Sequence, residues 1–361
     1  MRIRTLVPAL ACLAAAPFAS AADSAPAVKV DGFVDSILSG ASTIDSDGLD
    51  QTTENDSNTA FSYAAKLGIS ATISDKVSAQ VDAFINGQKV STLDGDDSIV
   101  IRQAYGIWKI TSDVELKSGK FINNYGWIAA YAPGLYRVNS GPITAYYGVD
   151  MVGADVKYSK DSLTAAVTIA NGFFGEGYND EAQSGSDQKD QAMAIGLDLI
   201  YAFGDKGSVN GELVYDMDAN PAGGDGMHFG LNATLTPNEQ ITAGAELIIQ
   251  SVGPMDDAAA DADEEGFGFM AMVNYKLGNA LPVPASVTAM LQYIDKTGVD
   301  NLEDNDESEM EFSVALLTNP AGTDKLGANF EIYYDASETD DGTTTTESTE
   351  VGVAAELLYI F

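Results

Sequence analysis

The chain has 361 residues, with 54 acidic against 18 basic side chains, a formal net charge of −36 and a single Cys. Acidity on this scale repels nucleic acid and anionic headgroups and draws cations. One Cys excludes a disulfide framework, and the lack of any run of 18 apolar residues after Ala22 excludes helical membrane spans.

In chain order, Met1 to Ala21 comes first. It has a basic start at Arg2 and Arg4, an apolar stretch from Leu6 to Phe18, and the small residues Ala19-Ser20-Ala21. This pattern predicts a secretory signal over 1–21 with an A-x-A cleavage site, and hence an exported product. Residues 22–361 are then expected to form one domain.

From Ala27 onward the apolar signal has period two. Phe61, Tyr63, Ala65, Leu67, Ile69, Ala71 and Ile73 alternate with Ser62, Ala64, Lys66, Gly68, Ser70 and Thr72. Such alternation marks strands with one apolar and one polar face, and the runs of 10 to 16 residues exceed the length of ordinary globular strands. The runs predict strands at 27–38, 58–73, 77–89, 98–111, 114–124, 147–158, 162–173 and 190–203. In the second half they predict strands at 208–217, 226–236, 240–251, 265–277, 285–296, 308–317, 326–335 and 348–361.

The connections alternate in length. Short turns such as Ser74-Asp75-Lys76 and Pro237-Asn238-Glu239 are interleaved with long loops at 39–57, 90–97, 125–146, 174–189, 218–225, 252–264, 297–307 and 336–347. An even number of strands, tight turns at one end and long loops at the other predict a transmembrane antiparallel β-barrel of the outer membrane, with about 16 strands and 14 or 18 as alternatives. Hydrocarbon satisfies no backbone hydrogen bond, so a sheet with apolar outer residues has to close on itself. Val351, Val353, Ala355, Leu357, Tyr359 and Phe361 give the last strand one apolar face. A secreted β-sandwich or solenoid would alternate too, but would leave the loop-length pattern unexplained.

Sixteen strands enclose a lumen too wide for side chains to fill, which predicts a water-filled interior. Strand parity turns Lys66, Asp82, Arg102, Glu115, Lys117, Asp155, Lys157, Asp198, Glu246 and Glu311 toward it. Lys120 has the opposite parity, unless Gly119 forms a bulge that switches the face. The loop 125–146 stands apart: it is aromatic, has no acid, and has Arg137 as its only charge. Buried apolar surface is favoured over solvated, so this loop is the candidate for folding inward as a constriction, with Tyr125, Trp127, Tyr131, Tyr136 and Arg137 as its candidate channel residues; packing over a neighbouring subunit or lying at the membrane interface would bury it as well. Opposed charges at such a constriction would set up a transverse field.

The stretch Leu116-Lys117-Ser118-Gly119-Lys120-Phe121, together with Gly126, Tyr136-Arg137, Gly148-Val149 and Ala170-Asn171-Gly172, resembles the OmpL-like β-barrel porin-2 family. Val30-Asp31-Gly32-Phe33-Val34-Asp35 is similar to that family's first strand. The resemblance is clearest over 98–215. It implies an outer-membrane porin fold with channel activity, and it supplies no catalytic residues.

The long loops hold more than half of the acids against two bases, Arg137 and Lys189. Runs such as Asp256-Asp257, Asp261 to Glu265 and Glu303 to Glu307 could take divalent cations on their carboxylates, but none has the spacing of a calcium loop, so no specific metal site is expected, nor a cofactor. The acidic mouth predicts a bias toward cations among the ions and small hydrophilic solutes that would pass. His228 stands near the external end of its strand with no nucleophile motif beside it, and no catalytic role is expected of it. The remaining expectations are contact with outer-membrane lipid, a homotrimer by analogy of fold, and, as the alternative function, a structural or adhesive barrel without a pore.

Overall fold

The computed structural model describes residues 27–47, 53–87, 98–123, 125–128, 132–148, 150–174, 193–217, 225–253, 264–298 and 306–361. The proposed signal at 1–21 lies outside these residues, as does most of each acidic loop at 90–97, 174–189, 218–225, 252–264 and 297–307.

Sixteen strands close into one antiparallel barrel in which each strand pairs with its neighbours in sequence and β1 pairs with β16. They are β1 (Ala27–Asp47), β2 (Thr53–Thr72), β3 (Val77–Gly87), β4 (Ser98–Lys109), β5 (Val114–Phe121), β6 (Met151–Lys160), β7 (Leu163–Ala170) and β8 (Met193–Ala202). The circuit continues with β9 (Gly207–Met217), β10 (Gly226–Asn238), β11 (Ile241–Val252), β12 (Glu264–Lys276), β13 (Ala285–Thr297), β14 (Asp306–Thr318), β15 (Leu326–Asp340) and β16 (Thr345–Ile360). Closure is completed at the C-terminus, where Gly32 and Phe361 exchange backbone hydrogen bonds of 3.1 and 3.0 Å.

The barrel is inside-out relative to a globular core. On the outer face Ile332 is 62% exposed and Leu199 54%, whereas Asp82, Glu212 and Glu246 on the inner face are at most 2% exposed. An apolar exterior has no counterpart in water, and it matches a hydrocarbon surround.

Four strand ends extend past the sequence expectation, while β5 and β7 stop at Phe121 and Ala170, short of 124 and 173, and β6 begins at Met151, after the 3-10 turn Pro142–Tyr146, where 147 was expected. Segments 39–57 and 336–347 were expected as long loops, yet β1 and β2 are 21 and 20 residues long and pair up to Ser46↔Thr53. Likewise β15 and β16 pair up to Asp340↔Thr345, around a turn in which Asp341 Oδ1 accepts from the backbone N–H of Thr343 (2.9 Å) and Thr344 (2.7 Å). A tilted spanning strand needs only about 9–11 residues. The surplus projects past the apolar band, where both faces are polar and alternation vanishes from the sequence while the ladder continues.

Two further details orient the interior. The β3–β4 register shifts between Asp82↔Gln103 and Ala83↔Ile101, so Arg102 is an extra residue on β4. This bulge lets the consecutive polar residues Arg102 and Gln103 both reach acids inside the barrel. No such shift occurs at Gly119, where pairing runs unbroken from Ala104↔Lys120 to Lys109↔Glu115. Gly119 is needed for another reason: its φ is +133°, and a Cβ there would meet the Ala104 carbonyl oxygen at 2.2 Å. Lys120 therefore lies on the outer face, between Ala104 and Val152.

Candidate functional site

The inner wall divides into two sectors with the segment 125–148 between them. On β2 to β6 most of the sequence-predicted charges are paired, with acids of the wall or with Asp150 just before β6. Lys66 Nζ is 3.0 Å from Asp82 and 3.8 Å from Asp31. Asp82, fully buried, also accepts from Gln80 (3.1 Å) and Gln103 (2.5 Å). Arg102 makes a two-pronged contact with Asp150 at 2.9 and 2.6 Å, the planar geometry in which a guanidinium binds a carboxylate best. Lys157 is 2.6 Å from Glu115. Asp155 accepts from Thr168 Oγ1 at 3.0 Å. Lys117 differs, with its ammonium 4.2 Å above the Phe121 ring and 5.9 Å from that of Tyr105, and it forms no ion pair among the described residues.

The segment after β5 crosses to the other sector. Its apolar residues Ile128, Ile143 and Tyr146 pack against Ile248, Met270, Met272, Met290 and Ile294, which β11, β12 and β13 turn inward. Ile143 is fully buried, worth about 1.5–3 kcal/mol by its apolar area alone. At the base of the segment, Tyr125 and Phe121 form a second cluster with Met151, Phe173 and Val214.

Among the described residues of the segment the backbone has no sheet partner, and side chains of the wall satisfy part of it instead. Gly126 N donates to Glu212 Oε2 (3.0 Å) and Trp127 N to Glu246 Oε1 (2.8 Å). Val138 N and Asn139 N both donate to Glu331 Oε2 (2.7 and 2.9 Å), and Ile143 N donates to Gln292 Oε1 (3.1 Å). Gln292 Nε2 returns a bond to the Ser140 carbonyl, and Gln250 Nε2 one to the Tyr146 carbonyl (2.6 Å). Tyr147 OH donates to Glu246 Oε2 at 2.5 Å. Burial, and then the Glu246 charge, push the Tyr147 hydroxyl well above its ordinary range, so it stays a neutral donor.

Of the loop residues singled out in the sequence, Trp127 stacks on Tyr136 with ring centroids 5.4 Å apart and donates Nε1 to Thr234 (2.7 Å). Tyr125 packs edge-on against Phe173. Tyr131 lies outside the described residues. Arg137 is 2% exposed and turned to the wall, where it pairs with Glu311 and, at 2.6 Å, with Glu331. The only charge of the loop is thus neutralised by β14 and β15, and the face that the segment leaves toward the lumen carries none.

No local pattern in the sequence marks Glu331, Gln292 and Gln250 as receptors. The one usable sign is in Ile248, Met270, Met272 and Met290, apolar residues on the lumen parity, which an open aqueous wall does not call for. His228 stands near the external end of β10, as expected, and is fully buried. Its Nδ1 is 2.8 Å from Gln250 Nε2, its Nε2 3.7 Å from Glu212 Oε2, and its ring 4.9 Å from that of Phe173.

No protein-family model and no curated protein matches the chain. The OmpL-like resemblance therefore rests on its sequence motifs. Among solved structures the chain is similar to the outer membrane channel DcaP of Acinetobacter baumannii, with 13% identity, 95% of this chain and 99% of that one covered, and a TM-score of 0.63. It is also similar to an anion-selective porin from Comamonas acidovorans (10% identity, 93% and 100% covered, TM-score 0.60). A third likeness is to the trimer form of OmpT, an outer membrane protein of Vibrio cholerae (12% identity, 94% and 100% covered, TM-score 0.55). At these identities the likeness shows the fold: a closed 16-stranded antiparallel barrel similar to outer-membrane porins.

Proposed function

We propose that the protein is an outer-membrane porin, a non-enzymatic channel for passive diffusion of ions and small hydrophilic solutes, narrowed by the segment 125–148. The observation that carries this reading is the closed barrel itself, apolar outside and charged inside, with an inserted segment that lines one sector and leaves the β2–β6 sector to face it. Hydrocarbon outside and water inside account for both surfaces at once. The sequence resemblance to OmpL-like porins and the structural likeness to DcaP support the same class. A cleaved signal over 1–21 would deliver the chain to the outer membrane of a Gram-negative cell, and the trimeric form of the OmpT likeness supports a homotrimer.

Selectivity has to be argued from this chain's own charge, since an anion-selective porin shares its fold. The acids outnumber the bases threefold, 54 to 18, and concentrate in the long loops, so the mouth raises the local cation concentration. The reading is therefore of a cation-biased channel. Purified protein in a planar bilayer tests it: stepwise conductance is expected, with reversal potentials in a salt gradient favouring cations. A silent bilayer would leave a structural barrel as the better reading, and anion-favouring potentials would remove the bias.

A further inference from the structure

His228 and Gln250 sit where both ends of the inserted segment meet the wall. Gln250 Nε2 contacts two groups, the Tyr146 carbonyl at 2.6 Å and His228 Nδ1 at 2.8 Å. A carbonyl oxygen only accepts, so the Gln250 amide must present its NH2 group to both partners. Nδ1 of His228 is therefore an acceptor, and the ring proton resides on Nε2, aimed at Glu212 Oε2 3.7 Å away. That same Glu212 oxygen accepts from Gly126 N at the start of the segment.

A second proton on the imidazole breaks this arrangement. Nδ1–H would then face an NH2 group, donor against donor. Flipping the Gln250 amide repairs that contact but turns its oxygen toward the Tyr146 carbonyl, acceptor against acceptor. Swinging the ring aside is opposed by its packing, since His228 is fully buried against Phe173 (4.9 Å) and Tyr125 (6.2 Å). The ring charge also draws on Glu212 Oε2, the oxygen that accepts from Gly126 N. Hence a single protonation breaks the Gln250 tie to the Tyr146 carbonyl and alters the electrostatics of the Glu212 tie at the other end.

The other ionisable groups around the ring come from each packed element. They are Glu212 and Asp216 on β9, Asp198 opposite Glu212 on β8, Glu246 two inward positions from Gln250 on β11, and Tyr125 and Tyr146 on the segment. Asp216 accepts from Phe173 N and Phe174 N after β7, which fixes the apolar side of the His228 pocket.

We propose that His228 is a positioning residue for the 125–148 segment, acting through Gln250 as a proton-sensitive latch that holds the segment to the wall when neutral and releases it into the lumen when charged. The inference rests on the channel reading only for its functional consequence.

The test uses two readouts on the full-length protein. The chain has two Trp, Trp108 on the outer face and Trp127 in the segment, so Trp108→Phe leaves one reporter. Between about pH 8 and about pH 5 its emission is expected to shift to the red and the bilayer conductance to fall. His228→Asn, whose side-chain oxygen still accepts from Gln250, is expected to lose the pH dependence of both. Gln250→Glu, which has no donor for the Tyr146 carbonyl, is expected to show the acid spectrum already at the upper pH. Folding of each variant is checked by its heat-modifiable migration. An emission shift that persists in His228→Asn, or no shift in the parent, overturns the latch. A shift abolished by His228→Asn in a protein that passes no current supports the latch and overturns only the channel reading.

Discussion

On β2 to β6, Lys66, Arg102 and Lys157 are paired with acids of the same wall or of the adjoining segment. On β9 to β15, Glu212, Glu246 and Glu331 accept instead from backbone N–H groups of an inserted segment, and Glu311 and Glu331 enclose its Arg137. Both sectors show the same inward-polar parity in sequence. They differ in what satisfies them. Where neighbouring strands supply the counter-charge, the polar wall is complete by itself and faces water. Where they do not, the carboxylates become fixed acceptors for an irregular backbone that has no sheet partner. An acid on the inner wall is thus a partner for wall cations in one sector and an anchor in the other.

The strongest way to break this distinction is Glu331→Ala. Removing a side chain that receives Arg137 and two backbone N–H groups leaves a buried guanidinium with Glu311 alone, and removal of one partner of a buried pair costs about 3–5 kcal/mol. Guanidinium-induced unfolding in detergent is expected to shift accordingly. A change below about 1 kcal/mol, the scale of an exposed pair, would mean that β15 does not anchor the segment. Ile143→Ala tests the apolar half of the same contact. Its side chain is fully buried in the lumen cluster, and truncation is expected to cost about 2–5 kcal/mol. Cooperative unfolding at an unchanged midpoint would show that the segment is not packed.

Gly244 sharpens the comparison from the wall side. A Cβ there would lie 2.4 Å from the Trp127 ring, so Gly244→Val has to push the indole off β11. Overpacking of this kind costs about 1–3 kcal/mol. Conductance is expected to fall as the segment moves into the lumen, and an unaltered conductance would show that this part of the segment does not narrow the channel.

The sixteen strands were legible because period two persists wherever one face is apolar, as in Met193 to Tyr201. The outer ends of β1, β2, β15 and β16 were not, since Ser42, Thr43, Thr345 and Thr346 lie where both faces are polar, and only their ladder partners extend the strand. For the segment, its acid-free aromatic composition was the one local sign of burial. Its receptors were hidden because Glu331 lies some 190 residues from Val138 and Gln292 some 150 from Ile143. A hydrogen bond across such a separation leaves no pattern in either stretch. Arg102 was assigned inward by simple parity, although a bulge is what brings it and Gln103 to the same side.

The smallest expected effect separates the two kinds of lysine on β5 and β6. Lys157 is 41% exposed and pairs with a Glu115 that is 23% exposed, so Lys157→Met is expected to alter stability by no more than about 1 kcal/mol. It strips the counter-charge from Glu115, and reversal potentials in a salt gradient are expected to move toward cations. Lys117→Met removes a charge that has no ion pair among the described residues, held over Phe121. Both variants lose one positive charge from the same sector, so a field set by net charge alone predicts equal shifts. If pairing matters, a solute carboxylate or chloride contacts the Lys117 ammonium more readily than the neutralised Lys157, and Lys117→Met gives the larger shift. Equal shifts in the two variants would show that the lumen responds to its total charge and not to how each wall residue is partnered.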